Sequence, residues 1–416
     1  MDMRKFLYSM FQVGCIGFGG GSALIPVIER EVVDRQGLDK KQNIEKDVIV
    51  ASITPGALPV EIAASIGRRR YGVKGMVAGA VMMALPGAVM TVLLVAVLSA
   101  FQERILSVVN MISIGVSIFI MYLLYSYIRT MLKECGKEGT ARKFKAILLM
   151  LGILGMSFFI STVEILVLVF FGIFFTKGNY CRKNMTVLTG VSALYILTHA
   201  HGLPWDFSAY ERVVNLLMLI LAGYGIFCNI HETKWQGEKD WKEIAVDIGT
   251  WILFAVVLML PVFFAYQNVL EFFEKSILSA WVSFGGGDAY LTIADGFFVE
   301  GGMISAQQYY SHIVPAVNVL PGSILCKTLS AVGYYVGFNL SGKIWAGVLF
   351  AITGFACSIA ASCSSFMLVY HLYDYLMTLH VFLIIRRWIR PMIGGLLMKI
   401  MITLCMHSLQ IIQTLM

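Results

Sequence analysis

Two ionisable residues lie in apolar stretches of this chain at matching distances from a proline. Glu61 follows Pro55 by six residues, and Lys327 follows Pro321 by the same interval. A charge at membrane depth costs about 2.5–3.5 kcal/mol on insertion scales, so each should face a partner or water. We predict that Lys327 neutralises an anion, and that Glu61 either pairs with Lys327 or carries a coupled proton. The alternative is a Glu61–Lys327 ion pair with a purely structural role.

Both prolines belong to a motif that occurs twice. Each copy has a triple glycine after a phenylalanine, then a Pro-Gly pair, then a further glycine. The paired elements are Phe18-Gly19-Gly20-Gly21 with Phe284-Gly285-Gly286-Gly287, Pro55-Gly56 with Pro321-Gly322, and Gly67 with Gly333. One fixed offset of 266 superposes the copies without a gap. A repeated, glycine-broken unit in an apolar chain is typical of a transporter built from two related halves, with its site where they meet.

The composition indicates a membrane protein. The 416 residues are 58% hydrophobic and 14% charged, and the mean hydropathy is +0.78, whereas a soluble domain carries roughly 25% charged residues. Apolar stretches long enough to cross a bilayer recur along the chain, and we predict an all-α polytopic membrane protein with about 10–13 membrane segments. Because the basic residues form short clusters between these stretches, they indicate membrane topology rather than nucleic-acid binding.

The distribution of basic residues differs between the two copies. The first copy carries Arg30, Arg35, Lys40, Lys41, Lys46, Arg68, Arg69, Arg70 and Lys74 around its polar segment and second helix piece. The matching stretches 296–312 and 334–340 carry no lysine or arginine. Since basic loops stay in the cytoplasm, the two repeats are predicted to have inverted topology, which gives alternating access a structural basis.

The Pro-Gly pairs predict broken helices. The 20 residues from Val48 to Gly67 are too few to cross the bilayer twice as full helices, which would need about 40. With basic residues at both ends, two short helices that enter and return fit this stretch, and the alternative is a single kinked span. Proline disfavours helical geometry in the residue before it, so we expect the breaks at Thr54 and Leu320.

A broken helix presents backbone N–H groups without intrahelical partners, and these suit an anion. The helix starts at Ala57 and Ser323 are the predicted donors. The triple glycines would add more, although they could equally serve close helix packing. The residues predicted to bind substrate are Gly19, Gly20, Ser52, Pro55, Gly56, Gly285, Gly286, Asn318, Pro321, Gly322 and Lys327.

Three acidic residues are predicted to couple protons to transport: Glu61, Glu29 and Asp295. Glu29 and Asp295 are expected near the membrane surface, where solvated or capping acids are the alternative.

The eight cysteines show no spacing typical of a metal site or disulfide framework. Sequences typical of metalloproteases, serine hydrolases and ATPases are absent, so we expect no enzyme activity, metal or cofactor. The expected partners are a small inorganic anion and the lipid bilayer, with a homodimer left open and no nucleic acid.

The duplicated Phe-Gly-Gly start, the downstream acidic residues, and Pro-Gly followed by Gly67-Arg68-Arg69-Arg70-Tyr71-Gly72 resemble the chromate ion transporter family in its long, two-domain form. The resemblance implies an inner-membrane carrier that exports chromate, with the proton gradient as a candidate driving force and sulfate as a related solute. We assign residues 1–200 to the first repeat, 201–265 to connecting membrane segments and 266–416 to the second repeat. The expected location is the plasma (inner) membrane of a bacterium.

This chain departs from the family pattern at several positions. Gly21 and Gly287 stand where the family usually has proline, and Ala57 and Ser323 replace the second proline of Pro-Gly-Pro. Ser52 and Asn318 stand where a glutamine is typical. These departures leave the carrier class in place and open the choice of substrate to another anion such as sulfate. A passive anion channel built on the same inverted pair is the second hypothesis, and an intramembrane enzyme is the third.

Overall fold

A computed structural model describes residues 3–16, 25–35, 37, 39–100, 103–137, 139–176, 182–199, 210–232, 241–266, 269–284, 287–376 and 380–415. Across these ranges the chain is α-helical and contains no strand, which confirms the predicted all-α class. The first eight helices are α1 (Met3–Ile16), α2 (Ile25–Glu29), α3 (Lys41–Ile53), α4 (Leu58–Ala100), α5 (Glu103–Lys137), α6 (Thr140–Met156), α7 (Thr162–Thr176) and α8 (Arg182–His199). The others are α9 (Glu211–Glu232), α10 (Trp241–Phe263), α11 (Val269–Trp281), α12 (Gly287–Ala294), α13 (Val314–Val319), α14 (Ile324–Ser341), α15 (Ile344–Leu376) and α16 (His380–Leu415).

Four helices in the described ranges are long and apolar enough to cross a membrane. They comprise Leu58–Ser99, Glu211–Cys228, Trp241–Phe263 and Ile344–Tyr373. Shorter apolar helices occur at Thr162–Thr176, Ala289–Val299 and Pro391–Met406. The chain is therefore a polytopic membrane protein, as its composition predicts.

The chain divides into two compact units that do not follow the order of the repeats. The first unit contains Met1–Ser126, Asp240–His371 and Ile400–Met416, and the second contains Tyr127–Lys239 and Leu372–Lys399. Both copies of the repeated motif belong to the first unit. In the second unit, α7 packs on α8 and α9, and His199 on α8 lies 3.5 Å from the Glu211 carboxylate on α9.

The last glycine of each motif copy permits a close helix crossing within the first unit. A Cβ atom on Gly67 would overlap the Gly75 carbonyl, and one on Gly333 would overlap the Phe350 carbonyl. Between Gly67 and Gly75 the chain turns at Gly72, whose backbone is non-helical with φ 65° and ψ −155°. The two arms of α4 therefore pack closely against each other, as small residues allow in membrane helices.

Polar side chains join the two arms of each helical hairpin. In the first copy, Arg69 on α4 binds Asp39 and Asp47, with nitrogen–oxygen distances of 2.6 Å to each. In the second copy, Gln308 donates to Asn339 at 2.8 Å. These contacts bring residues before each Pro-Gly break next to residues well after it. Each segment therefore folds back on itself as a hairpin, which fits the enter-and-return arrangement predicted from the basic residues at both ends of the first one.

Candidate functional site

The helices break at the two residues predicted from the following prolines. α3 ends before Thr54, and α13 ends before Leu320. The backbone angles are φ −87° and ψ 151° at Thr54, and φ −85° and ψ 147° at Leu320. Both residues have extended backbone because a following proline excludes helical geometry. The glycine after each proline has positive φ, 144° at Gly56 and 99° at Gly322. The two breaks are thus close copies in backbone.

The backbone N–H groups at the first break donate hydrogen bonds to the second repeat. The Gly56 N–H donates to the Ser283 carbonyl at 3.0 Å. The Ala57 N–H donates to the Ser362 hydroxyl at 2.5 Å, and this hydroxyl donates in turn to Glu61 Oε1 at 2.7 Å. Two backbone N–H groups at the break are therefore satisfied by α15 and by the segment after α11.

The Glu61 carboxylate lies directly over this break. Its side chain is 0% exposed, and Thr54 Oγ1 donates to Oε2 at 3.4 Å. A Cβ atom on Gly56 would overlap both Glu61 Oε1 and Ser362 Oγ. Only glycine leaves room for the carboxylate here. The N-terminus of a helix carries partial positive charge, so the start of α4 favours a negative side chain at this position.

The second break carries the opposite charge. Lys327 is 2% exposed, and its Nζ donates to the carbonyls of Val317 and Leu320, both at 2.5 Å. These oxygens lie at the C-terminal end of α13, which carries partial negative charge and favours cations. The ammonium group is therefore held at the break by the free carbonyls of the preceding helix.

Elements of the first repeat pack against this second break. A Cβ atom on Gly87 of α4 would lie 2.5 Å from the Pro321 carbonyl and 3.2 Å from Lys327 Cδ. A Cβ atom on Gly322 would lie 3.0 Å from the Gly87 Cα. Each break is thus built against the other repeat. The two breaks, each with a buried ionisable side chain, lie within the first unit and are the candidate functional site.

Glu61 and Lys327 have different partners. The contacts described for Glu61 involve Thr54 and Ser362, and those described for Lys327 involve Val317 and Leu320. These contacts differ between the two side chains, and the Glu61–Lys327 pair that the sequence left open stays a prediction.

The other predicted substrate ligands lie in varied surroundings. Ser52 is exposed and donates to the Ile49 carbonyl of its own helix at 2.7 Å. Asn318 is partly buried and donates to the Val314 carbonyl at 2.8 Å. Pro55 and Pro321 form the breaks themselves. Gly19, Gly20, Gly285 and Gly286 lie outside the described residues, so their predicted roles stay predictions.

Asp295 does not lie at the solvated surface that was expected for it. Its side chain is 4% exposed, at the first residue of a π-helical segment, Asp295–Val299. The Tyr310 hydroxyl hydrogen-bonds to it. Residue spacing does not reveal a π-helical turn, whose residues per turn differ from those of a regular helix. Glu29, its counterpart, ends α2 and is partly buried. The coupling role of both remains a prediction.

Ser362, Ser283 and Gly87 were not predicted from the sequence. Ser362 is a polar residue in the small-residue run Ala360-Ala361-Ser362-Cys363 of an apolar helix, which is a weak signal for a buried hydrogen bond. Its equivalent at the repeat offset is Ala96, so the repeat comparison cannot find it. Gly87 follows Pro86 on α4, the first repeat's own second Pro-Gly pair.

The family model described as "Chromate transporter" matches residues 4–176 and 270–416, more than half of the chain. The chain belongs to this family. Both breaks, Glu61, Gly87, Lys327 and Ser362 lie within the matched residues, whereas α10 lies between the two matched regions. Family membership and the apolar helices together make the chain a multi-pass protein of a membrane transporter family.

Two Bacillus subtilis (strain 168) proteins are similar to parts of the chain. "Uncharacterized transporter YwrA" is 26% identical over 95 residues, which are 23% of this chain and 53% of that protein. "Uncharacterized transporter YwrB" is 28% identical over 83 residues, which are 20% of this chain and 42% of that protein. The chain thus spans about half the length of these curated relatives or less. No solved structure matches the chain.

Proposed function

We propose that this protein is a secondary oxyanion transporter of the bacterial plasma (inner) membrane, and that chromate, moved outward, is its first candidate substrate. The observation that carries the proposal is the buried ammonium of Lys327 at a helix break that packs against the other repeat. A fixed positive charge beside interrupted backbone is the arrangement that discontinuous helices use to bind anions at membrane depth.

The Lys327 ammonium offers three N–H donors, and two of them reach the carbonyls of Val317 and Leu320. An arriving oxyanion would exchange these carbonyl contacts for charge-assisted hydrogen bonds, which are roughly twice as strong as neutral ones. The start of α14 at Ile324 lies one turn before Lys327 and supplies further N–H groups. The same exchange would free the end of α13, so anion binding and movement of the break would be linked.

Glu61 is the proposed proton carrier. Its carboxylate lies at the positive end of α4, where it would repel an approaching anion. Protonation would remove this repulsion, and the neutral acid could keep its hydrogen bonds with Ser362 and Thr54. Proton binding and anion binding would therefore favour each other, and both would move in the same direction.

The membrane potential would supply the driving force for efflux. A potential that is negative inside contributes about 2.3 kcal/mol per elementary charge per 100 mV. A dianion that moves outward with one proton still carries net negative charge, so its export is driven by the potential. We propose this arrangement in place of ATP hydrolysis or other enzyme activity.

The proposed transporter consists of a first repeat at 1–200, connecting membrane segments at 201–265 and an inverted second repeat at 266–416. Opposite orientation would let each break open to one side of the membrane in turn. Glu29 and Asp295, at equivalent positions in the repeats, are secondary proton-coupling candidates. A homodimer is the proposed assembly, to be checked by the mass of the purified complex.

Anion flux in proteoliposomes tests this function. The purified full chain would be reconstituted and loaded with labelled chromate or sulfate, and efflux followed under an imposed potential, with and without a pH gradient. We expect potential-driven efflux in the wild type, and E61Q should keep anion flux while losing its response to the pH gradient. E271Q, at an exposed carboxylate on α11, is the matched control and should behave as the wild type.

Counterflow separates the proposed carrier from a passive channel. A carrier accelerates labelled anion when unlabelled anion is present on the opposite side, whereas a channel does not. Faster movement of sulfate than of chromate would reassign the substrate within the oxyanion class. Folded protein that moves no oxyanion in either direction would overturn the proposal.

A further inference from the structure

A buried carboxylate on α10 connects elements of both repeats. Asp247 is 0% exposed, and its Oδ1 accepts a hydrogen bond from Arg68 Nε at 2.7 Å. Its Oδ2 lies 3.1 Å from His371 Nε2. Arg68 belongs to α4 in the first repeat and His371 to α15 in the second, while α10 lies between the two matched regions. One side chain thus links three helices.

Charged residues near His371 lie on three neighbouring helices. α10 contributes Asp247 and α4 contributes Arg68, while Glu243 lies one turn before Asp247 on α10. From α3, the Lys46 ammonium lies 4.6 Å from the centre of the Tyr370 ring, next to His371. The Arg68 guanidinium already balances the buried Asp247 carboxylate, as a buried charge requires. A proton on His371 would therefore be an additional, reversible positive charge on the same carboxylate.

We propose that Arg68, Asp247 and His371 form a proton-binding latch, in which a proton on His371 fixes α15 to α10 and, through Asp247, to α4. When the ring is charged, the His371–Asp247 hydrogen bond joins two ions, and such bonds are shorter and stronger than neutral ones. When the ring is neutral, this contact weakens while the Arg68–Asp247 pair stays. Histidine is the side chain whose charge changes within the range of about pH 5–8.

The latch lies apart from the two helix breaks and goes beyond the proposed anion site. If the repeats move relative to each other during transport, α4 and α15 must shift across α10, and the Asp247 contacts oppose that shift. Acid would close the latch and slow the movement, whereas higher pH would release it. The sign is opposite to the effect of a proton on Glu61, which favours anion binding.

Thermal unfolding of the purified full chain in detergent tests the latch without any substrate. If the latch forms, a charged His371 ring adds a contact to Asp247 that stabilises the folded chain, and a neutral ring does not. Between about pH 8 and about pH 5.5, the unfolding midpoint of wild type should gain about 2 °C relative to that of H371Q. E271Q removes an exposed carboxylate that pairs with Lys275, and it should keep the wild-type pH response.

A double-mutant cycle identifies the partner of His371. H371Q, D247N and the double variant should show non-additive midpoint shifts at about pH 5.5 and additive shifts at about pH 8. If D247N does not fold, R68K and H371Q still test the latch, because R68K should leave the pH response in place. A wild-type pH response in H371Q would overturn the proposal, as would additive shifts at both pH values.

The anion flux assay distinguishes this latch from the proposed transport function. H371Q should lose the slowing of flux at acidic pH and keep the response to a pH gradient that depends on Glu61. If neither the wild type nor H371Q moves any oxyanion, the transport proposal fails, and the unfolding experiment still decides the latch.

Discussion

The two helix breaks have nearly the same backbone and opposite charges. Thr54 and Leu320 have φ values of −87° and −85°, yet six residues after each proline one break has Glu61 and the other Lys327. Each side chain turns to the helix end of opposite polarity, the carboxylate to the start of α4 and the ammonium to the end of α13. The two repeats share the break in the helix, and the opposite charges at equivalent positions give the halves different chemistry.

The side-chain contacts that join the two arms of each hairpin, here called the hairpin clasps, also differ in charge between the repeats. Arg69 binds two carboxylates in the first repeat, whereas its equivalent at the repeat offset, Tyr335, hydrogen-bonds to His312 at 2.5 Å. Neutral Gln308 and Asn339 complete the second clasp. This contrast agrees with the absence of basic residues from the matching loops of the second repeat, which predicts opposite membrane sides for the two hairpins.

The largest effect is expected from removal of the ammonium at the second break. K327Q should reduce oxyanion flux about 10–100-fold, because a hydrogen bond to a charged group contributes about 1.5–3 kcal/mol. The glutamine amide can still donate to Val317 or Leu320, so the variant should fold. Flux in proteoliposomes measures the effect, with K275Q, at a partly exposed lysine that pairs with Glu271, as the control. Unchanged flux in K327Q would mean that the two breaks do not differ in function.

A smaller effect, on stability, is expected at the glycines of the breaks. G56A forces alanine into φ 144° and against Glu61 and Ser362, and such strain costs about 1–3 kcal/mol. G322A forces alanine into φ 99° beside the Gly87 backbone and should cost a similar amount. G37A, at φ 59° with no neighbour within 4 Å, separates backbone strain from steric overlap. Thermal unfolding in detergent provides the comparison, and a G56A midpoint equal to that of G37A would contradict it.

The smallest effect is the pH response of the charged clasp. Burial raises the pKa of Asp39, but hydrogen bonds from Asn43 and Arg69, the Arg69 charge and the Lys40 N–H outweigh it, so the pKa lies below its ordinary value. The Asp39–Arg69 pair therefore stabilises the first hairpin above the unfolded-state pKa of Asp39, and this stabilisation disappears as the pH falls through the lower folded-state pKa. We expect about 0.2–1 kcal/mol for this partly exposed pair.

Hydrogen exchange on the two hairpins checks this last comparison. Protection of α3 should fall in acid in the wild type, and D39N should show the lower protection at neutral pH as well. Protection of the second hairpin, which Gln308 and Asn339 hold, should change less over the same range. Equal acid responses in both hairpins would show that the charge difference does not matter for their stability.

Several features of the site were predictable because they depend on local chain properties. Proline restricts the residue before it, so the breaks at Thr54 and Leu320 follow from the sequence. An offset of 266 identified Glu61 and Lys327 as equivalent positions in apolar surroundings, and both side chains are buried. The all-α membrane class follows from composition alone.

Other features depend on contacts between distant segments and on irregular backbone. Ser362 lies 301 residues from Glu61 along the chain, and its repeat equivalent is an alanine, so neither spacing nor symmetry indicates the contact. Asp295 is buried at the start of a π-helical segment, which a regular helical period does not represent. The partners of Lys327 are backbone carbonyls, and residue types do not reveal them.

The contact between Gly87 and Gly322 has a consequence for motion. Here two main chains meet with no side chain on either glycine, and the Lys327 side chain packs beside them, with its Cδ 3.2 Å from the Cβ position of Gly87. Few side-chain atoms separate the two main chains, so a small sliding displacement would disturb little packing other than that of Lys327. At the first break, in contrast, the N–H groups of Gly56 and Ala57 donate hydrogen bonds to Ser283 and Ser362. The first break is therefore held by hydrogen bonds, and a shear movement of the helices should begin at the Gly87–Gly322 contact.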